Sequence, residues 1–495
     1  MAGGDQMISC SRRATLRFAE PGTAELLALL FRRYPNLEWG TFARFGWREV
    51  GDRLVVTLAG IDAPGLGDMN ERVPNVRFNE QYSLRMALAA EQHELAVGVV
   101  HSHPRECIPQ PSDIDDEMDG YYAGYLHGFT EGRPYISLIA SQVGPVIAIS
   151  GRIQWQGHWY NVDSVTSLNP RVEAWLGGRR PPKPSTSPAR VARLVSAYGN
   201  EAYHRLRHST VAIIGAGGTG SAAIPVLARA GVGRIIAVDP DIISQSNLER
   251  VHGAYPSHVD QQTPKVQVAA ELVKKIDPSI DFVAIQGRVP QREVVDALIE
   301  ADVLLGCTDQ HSSRLAISEL AYRYLIPAID TGVVLEGRDG RITAQVGQLV
   351  RFLPGDRCAI CRGIIRPELI SFELMDEDEK AQRRAAAASA EAKGEDPNPY
   401  WKSIPQINTV GSVTTTIGAL AANYAIGWIT GRFAPPFARL QMNLIDPLLG
   451  TVECDRSRSE DCTCQRVRGW ADQGAIEAVI SAPTHWPRPI ICTRP

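Results

Sequence analysis

The chain has 495 residues, of which 44% are hydrophobic and 21% charged, and its formal net charge is −4. That length exceeds one core and points to roughly two to four domains, and the ordinary composition indicates a globular chain rather than a disordered one. No basic tract stands out, so neither nucleic acid nor an anionic membrane is an expected partner.

The opening "MAGGDQMISCSRRATLRF" lacks the apolar core of a secretory signal. Nine cysteines without such a signal suit a reducing, cytoplasmic setting, where thiols serve as metal ligands or reactive groups. "TAELLALLFRRY" (23–34) has helical spacing, "DRLVVTLAGI", "LAVGVVHSH" and "YISLIAS" read as strands, and "SLRMALAAEQHE" reads as a helix between the first two. This predicts a compact α/β domain over residues 1–170. The Pro-, Gly- and Ser-rich "GGRRPPKPSTSPAR" (177–190) has nothing to bury and marks a linker, placed at 171–189.

His101 and His103, two apart at a strand end, face one side and can reach one ion. Asp115 supplies a third ligand, the set a catalytic zinc takes with a fourth position open for water. Ser112 is placed to donate to an oxyanion. Glu38, in "NLEWGTF", is the chosen general base, with Glu49 its nearby competitor. A Glu, then His-Ser-His-Pro, then Ser-x-x-Asp resembles the JAB/JAMM (MPN) metallopeptidases over about residues 15–165. The resemblance implies a zinc isopeptidase acting after the C-terminus of a ubiquitin-like protein. Eight residues separate His103 from Ser112, one more than the commonest family spacing.

After the linker, "TVAIIGAGGTGSAAIPVLARAGVGRIIAVDPD" alternates strand, glycine loop, helix and strand, predicting a Rossmann-like, doubly wound parallel sheet over residues 190–470. The glycines let backbone approach phosphates at a helix N-terminus, and Asp239 ends the next strand where ribose hydroxyls bind. Alone this fits a nicotinamide enzyme equally well. Asn247, Arg250 and Lys265, then Asp309 and Arg314 after a later strand, suit polyphosphate and Mg²⁺ better than hydride transfer.

The set GxGGxG, Asp, S-x-x-N-L-x-R, P-K and C-T-D resembles the ThiF/MoeB/E1 superfamily over about residues 190–465. It implies that Gly215, Gly217, Gly218 and Gly220 hold the phosphates of ATP and Asp239 the ribose. Asn247, Arg250 and Lys265 would contact the triphosphate and Asp309 would bind Mg²⁺. The implied reaction is adenylation of the C-terminal glycine of a ubiquitin-like protein, in a homodimer whose N-terminal helix lends an Arg, here Arg193, to the other subunit's site. An E2-like protein is the implied further partner. Val251 stands where the family has Gln, and Gln310 where it has Asn.

Cys358 and Cys361 (C-x-x-C) with Cys462 and Cys464 (C-x-C) make a candidate structural zinc site, with Cys454 an alternative ligand. "EDEKAQRRAAAASAEAKGEDPNPYW" (377–401) shows no core-facing stripe and is either a mobile crossover or an exposed helix. "TVGSVTTTIGALAANYAIGWITG" (409–431) is long enough to span a membrane, but its threonines and Asn423 favour a buried helix rich in small residues. Many E1 enzymes carry a catalytic cysteine in the crossover, yet between Gly363 and Asp461 this chain has only Cys454. Either the enzyme stops at the adenylate, or a serine takes the acyl group: Ser403 first, Ser389 second. Residues 471–495 read as a tail. The whole reads as a peptidase fused to an activating enzyme of a bacterial ubiquitin-like system. The alternatives are sulfur-carrier activation and a scaffold with an inactive first domain.

Overall fold

The computed structural model of the chain describes residues 13–19, 22–32, 37–69, 77–167, 172–174, 187–398, 401, 409–446, 450–454, 462–474 and 481–493. In the N-terminal unit, strands run in the order Tyr135–Val143, Ala96–Ser102, Gly40–Val50, Arg53–Asp62, Arg13–Arg17, His158–Thr166 and Val146–Trp155. The last pairs back onto the first, so the sheet closes into a barrel with no free edge among these seven strands. Leu16, Phe45, Val56, Ile136 and Leu138 fill one side of the wall. Phe42, Tyr82, Met86, Val99 and Tyr122 pack its other side against helices Glu80–His93 and Asp113–His127.

The expected α/β unit is therefore richer in strand than its pattern suggests. In Gly40–Val50 the register shifts between Arg44 and Phe45, so the buried Phe42 and Phe45 fall out of period two. Val172–Ala174 pairs with Ile147–Ile149, which carries the barrel's sheet past the expected boundary at residue 170.

In the C-terminal unit five parallel strands lie in the order Asp281–Gln286, Arg234–Val238, Thr210–Ile214, Val303–Gly306 and Ala328–Arg338. Val211 and Ile213 enter one core while Ala212 and Ile214 enter another, so the strand Thr210–Ile214 is covered on both faces. The doubly wound centre matches expectation, but its edges are antiparallel. Arg341–Phe352, Arg439–Asn443 and Thr451–Glu453 extend one side, and Ile490–Cys492 pairs with Ala284–Gln286 on the other. The expected tail thus contributes a strand. Helix Gly411–Thr430 packs on helix Gly218–Ala230 so closely that a Cβ on Gly418 would lie 2.2 Å from the Thr219 carbonyl oxygen. No described helix is long and apolar enough to cross a membrane. The crossover holds the helix Glu377–Ala392, with Arg383 over the Phe372 ring and Arg384 over Trp401.

The two units are packed together rather than strung on a linker. Arg17, fully buried in the barrel, donates to the main-chain oxygens of Ile299, Ala301 and Tyr324. Gly469 O accepts from Gly46 N at 3.2 Å and from Thr57 Oγ1 at 2.7 Å. Val55 of the barrel belongs to the same buried cluster as Ala212, Ile214 and Leu304.

Candidate functional site

Strand pairing sets the first site. Gly40 lies opposite His101, and Ser102 N donates to Trp39 O at 2.7 Å while Ser102 Oγ accepts from Trp39 N at 3.0 Å. The middle residue of His-Ser-His, unassigned from sequence, thus locks Glu38 beside the histidines. Glu49 is nine residues further along the strand from Gly40, about 30 Å away at strand rise, so Glu38 is the carboxylate near the site.

His101, His103 and Asp115 converge, with one potential ligand atom from each lying within 4.8 Å of the others. His101 Nε2 is 3.0 Å and His103 Nε2 3.6 Å from the Asp115 carboxylate. His101 Nε2 is buried and faces that carboxylate, and His103 Nδ1 lies 3.3 Å from Ile108 O, which orients the ring. These convergent, pre-oriented nitrogens and the carboxylate between them fit a divalent metal. Burial would raise the Asp115 carboxyl, but the two imidazoles and the Ser112 N–H hold it well below the usual carboxylate range. Glu38, half-buried with His101, Asp115, Asp119 and Tyr122 around a small cavity, has its carboxyl raised by burial, with Asp115 adding and the histidines opposing.

Ser112 caps helix Asp113–His127. Its hydroxyl donates to Asp115 Oδ2 at 2.7 Å and accepts from Asp115 N at 3.3 Å. The expected oxyanion donor therefore spends its proton on the Asp115 carboxylate in this arrangement. The longer loop is absorbed against the next strand, where Glu106 N donates to Gln142 O and Ser141 Oγ holds the Cys107 carbonyl.

The second site sits where the strand order reverses, between Thr210–Ile214 and Val303–Gly306. Gly215 has φ +97°, and a Cβ there would lie 2.4 Å from Cys307 O. One on Gly220 would lie 1.8 Å from Gly215 O, and one on Gly218 would press on Thr414. Three of the four glycines are thus demanded by the chain's own packing, and Gly217 alone opens on space. Asp239 accepts from Ala216 N at 2.7 Å and from Asp241 N at 2.9 Å, and Lys265 Nζ lies 3.8 Å from it. Burial raises the Asp239 carboxyl against the pull of Lys265.

Asn247 Oδ1 accepts from Ser244 N, and Arg250 turns to Ser246 O and Glu249 beside an open cleft lined by Gly411 and Thr415. Asp309 and Arg193 are exposed, and among the described residues no hydrogen bond or ion pair ties either to the glycine loop. Ser389 is exposed on its helix, whereas Ser403 and Lys402 lie outside the described residues. Burial pushes the Cys307 thiol up to about 12, which leaves it unready as a nucleophile.

Cys358, Cys361, Cys462 and Cys464 form a third cluster, with Sγ–Sγ separations of 3.7 Å (Cys358–Cys462) and 4.0 Å (Cys361–Cys464). A tetrahedral zinc with bonds of about 2.3 Å requires edges of about 3.8 Å, so the donor set fits. Cys454 is exposed and outside it.

The family model of the ThiF family matches residues 189–464, from just before the helical lead-in to the last of these cysteines. The chain belongs to the ThiF family. Its ThiF unit resembles the SAMP-activating enzyme E1 of Haloferax volcanii, 30% identical over 170 residues, 34% of this chain and 58% of that protein. The sulfur carrier protein ThiS adenylyltransferase of Escherichia coli is 35% identical over 130 residues, 26% of this chain and 51% of that protein. The chain spans about half the length of these curated relatives. Among solved structures, Escherichia coli MccB aligns with a TM-score of 0.43 at 20% identity, over 56% of this chain and 75% of that one.

Proposed function

We propose that the ThiF unit, residues 190–470, adenylates the C-terminal glycine of a ubiquitin-like protein, and that the barrel, residues 1–170, is a zinc-dependent isopeptidase acting on the same modifier. The observation that carries the first half is Asp239, fixed by the Ala216 N–H at the strand-order reversal with Lys265 beside it. In that reaction a carboxylate oxygen of the modifier attacks the α-phosphorus of ATP, the bond to the β-phosphate breaks and pyrophosphate leaves. Gly217 gives the phosphates access, Asp239 takes the ribose, and Asn247, Arg250 and Lys265 meet the developing charge. Mg²⁺, held by Asp309, would offset charge on the leaving pyrophosphate. Arg193 would enter the site of a second copy in a homodimer.

The second half is supported by His101, His103 and Asp115 converging beside Glu38. Zinc held by the three would supply an acidified water and polarise the scissile carbonyl. Glu38 takes the proton of the attacking water and returns it to the leaving amine, a role its raised carboxyl suits.

Incubation with ATP, Mg²⁺ and a candidate modifier, read by intact mass, tests both halves. The expected products are a modifier adenylate and a trimmed precursor. Neither product forming with any glycine-ending modifier removes the proposal. A second reading, sulfur-carrier activation, draws on the ThiS adenylyltransferase likeness and on the crossover without cysteine. It predicts a modifier heavier by sulfur for oxygen when a sulfur donor is added. An adduct of modifier on enzyme that resists thiols and is lost in Ser403→Ala would instead mark a serine oxyester, ready for transfer to an E2-like partner.

A further inference from the structure

One charged pair at the strand-order reversal takes no part in the proposed steps: Arg314, which the sequence suited to polyphosphate, is turned instead to a buried carboxylate and two main-chain carbonyls. Asp330, on the strand beside Val303–Gly306, is fully buried, and neither carboxylate oxygen accepts a hydrogen bond among the described residues. Its counter-charge is Arg314, whose Nε lies 3.4 Å from Asp330 Oδ2. Arg314 Nη2 donates to Thr308 O at 3.3 Å and to Thr331 O at 3.2 Å. Thr331 Oγ1 in turn donates to Gly306 O at 2.8 Å. The stretch so held carries Asp309 at one end and, at the other, the Cys307 carbonyl on which Gly215 is stacked.

We infer that Asp330 is a positioning residue of the adenylation site: paired with Arg314, it holds the Thr308 carbonyl, and so fixes the short segment whose Cys307 carbonyl packs on Gly215 and whose next residue after Thr308 is Asp309. The inference rests on the adenylation reading. Its physical basis is that fold stability does not account for the carboxylate. A buried anion without hydrogen bonds is costly, and neutral groups of the same size are commonly more stable in such places. Burial raises this carboxyl to about 6 against the opposing pull of Arg314, so the fold bears that cost at neutral pH. In return the Arg314 fork stays neutralised and aimed at two carbonyls rather than drawn toward solvent or phosphate. A group that costs stability at the edge of a ligand site is the signature of strain retained for function.

The test compares the unsubstituted chain with Asp330→Asn and Arg314→Lys by calorimetric titration of ATP, with Mg²⁺ and with EDTA, and by thermal unfolding. Asp330→Asn should unfold at the same or a higher temperature, yet bind ATP in Mg²⁺ about 10-fold more weakly, the worth of one charge-assisted hydrogen bond. In EDTA its loss should be much smaller. Arg314→Lys keeps the charge beside Asp330 but loses the fork, and should show the same Mg²⁺-dependent loss. If both variants bind Mg²⁺–ATP as the unsubstituted chain does, the inference is overturned. It is equally overturned if Asp330→Asn weakens binding only as far as it lowers the unfolding temperature while Arg314→Lys binds normally. An unsubstituted chain that binds no ATP would bring down the adenylation reading itself, a distinct failure.

Discussion

Arg48 of the barrel donates to the Tyr324 hydroxyl of the ThiF unit at 2.9 Å, and the same guanidinium pairs with Asp296 and Asp472. Arg48 is nearly buried whereas the two aspartates are partly solvated. Solvent at the two aspartates therefore weakens the pairing, and Arg48→Ala should cost about 2 kcal/mol in urea unfolding followed by tryptophan fluorescence. Separate barrel and ThiF transitions in the unsubstituted chain would contradict the shared interface.

Glu38→Gln should leave zinc content unchanged while cleavage of a modifier precursor falls about 100-fold or more. Glu49→Gln, at the far end of the same strand, should cleave normally. Equal losses in the two variants would place the base elsewhere.

Gly217 and Gly220 separate ligand access from packing. Gly220→Ala sets a methyl against Gly215 O and should destabilise the ThiF unit. Gly217→Ala meets no protein atom within 4 Å, so it should unfold normally and lose ATP affinity. Titration calorimetry beside thermal unfolding decides the matter, and intact ATP binding in Gly217→Ala would remove that residue from the site.

The stability of the metal-free protein should carry an imprint of Asp330. Its folded value, about 6, exceeds its ordinary one, so folding takes up a proton. The contribution is fully present below the unfolded value, near 4, and is lost as pH rises through about 6. The span is on the order of 3 kcal/mol. Asp330→Asn should flatten this slope in denaturant titrations between pH 4 and 7, and an unchanged slope would count against a buried, ionisable Asp330.

A zinc ion held by the four cysteines would have an influence that reaches beyond them. Cys462 and Cys464 begin the segment that ends in Gly469, Ala471 and Gln473, all in contact with the barrel or its seat. Chelation, or Cys462→Ser, should speed hydrogen exchange at the Gly46 amide, which donates to Gly469 O. Protection at Gly46 that is indifferent to zinc would separate the metal from the interface.

The loops expected to carry chemistry were the most legible parts of the sequence, because their motifs rest on residue type and short spacing rather than on long-range pairing. His101, His103 and Asp115 converge as their spacing implied, and four cysteines close into one cluster. Asp239 and Lys265, 26 residues apart, also meet as the pattern suggested. The barrel was poorly legible, since the bulge at Arg44 and Phe45 scrambles the alternation that marks a strand. Ser102 went unassigned because its partner, Trp39, is 63 positions away and only strand pairing joins them. The same holds for Asp330: nothing local distinguishes a buried carboxylate in "PAIDTG" from a solvated one.

Gly46 and Gly469 touch backbone to backbone, and a methyl on Gly46 would strike the Trp470 carbonyl group at 2.3–2.5 Å. Such a seam is not a breakpoint at which halves can be exchanged. Gly46, Thr57 and Arg17 of the barrel each need a particular main-chain carbonyl of the ThiF unit in place, so a barrel moved elsewhere would have to find all of these acceptors again. At this seam each unit constrains which side chains the other can carry, as the space at Gly46 shows.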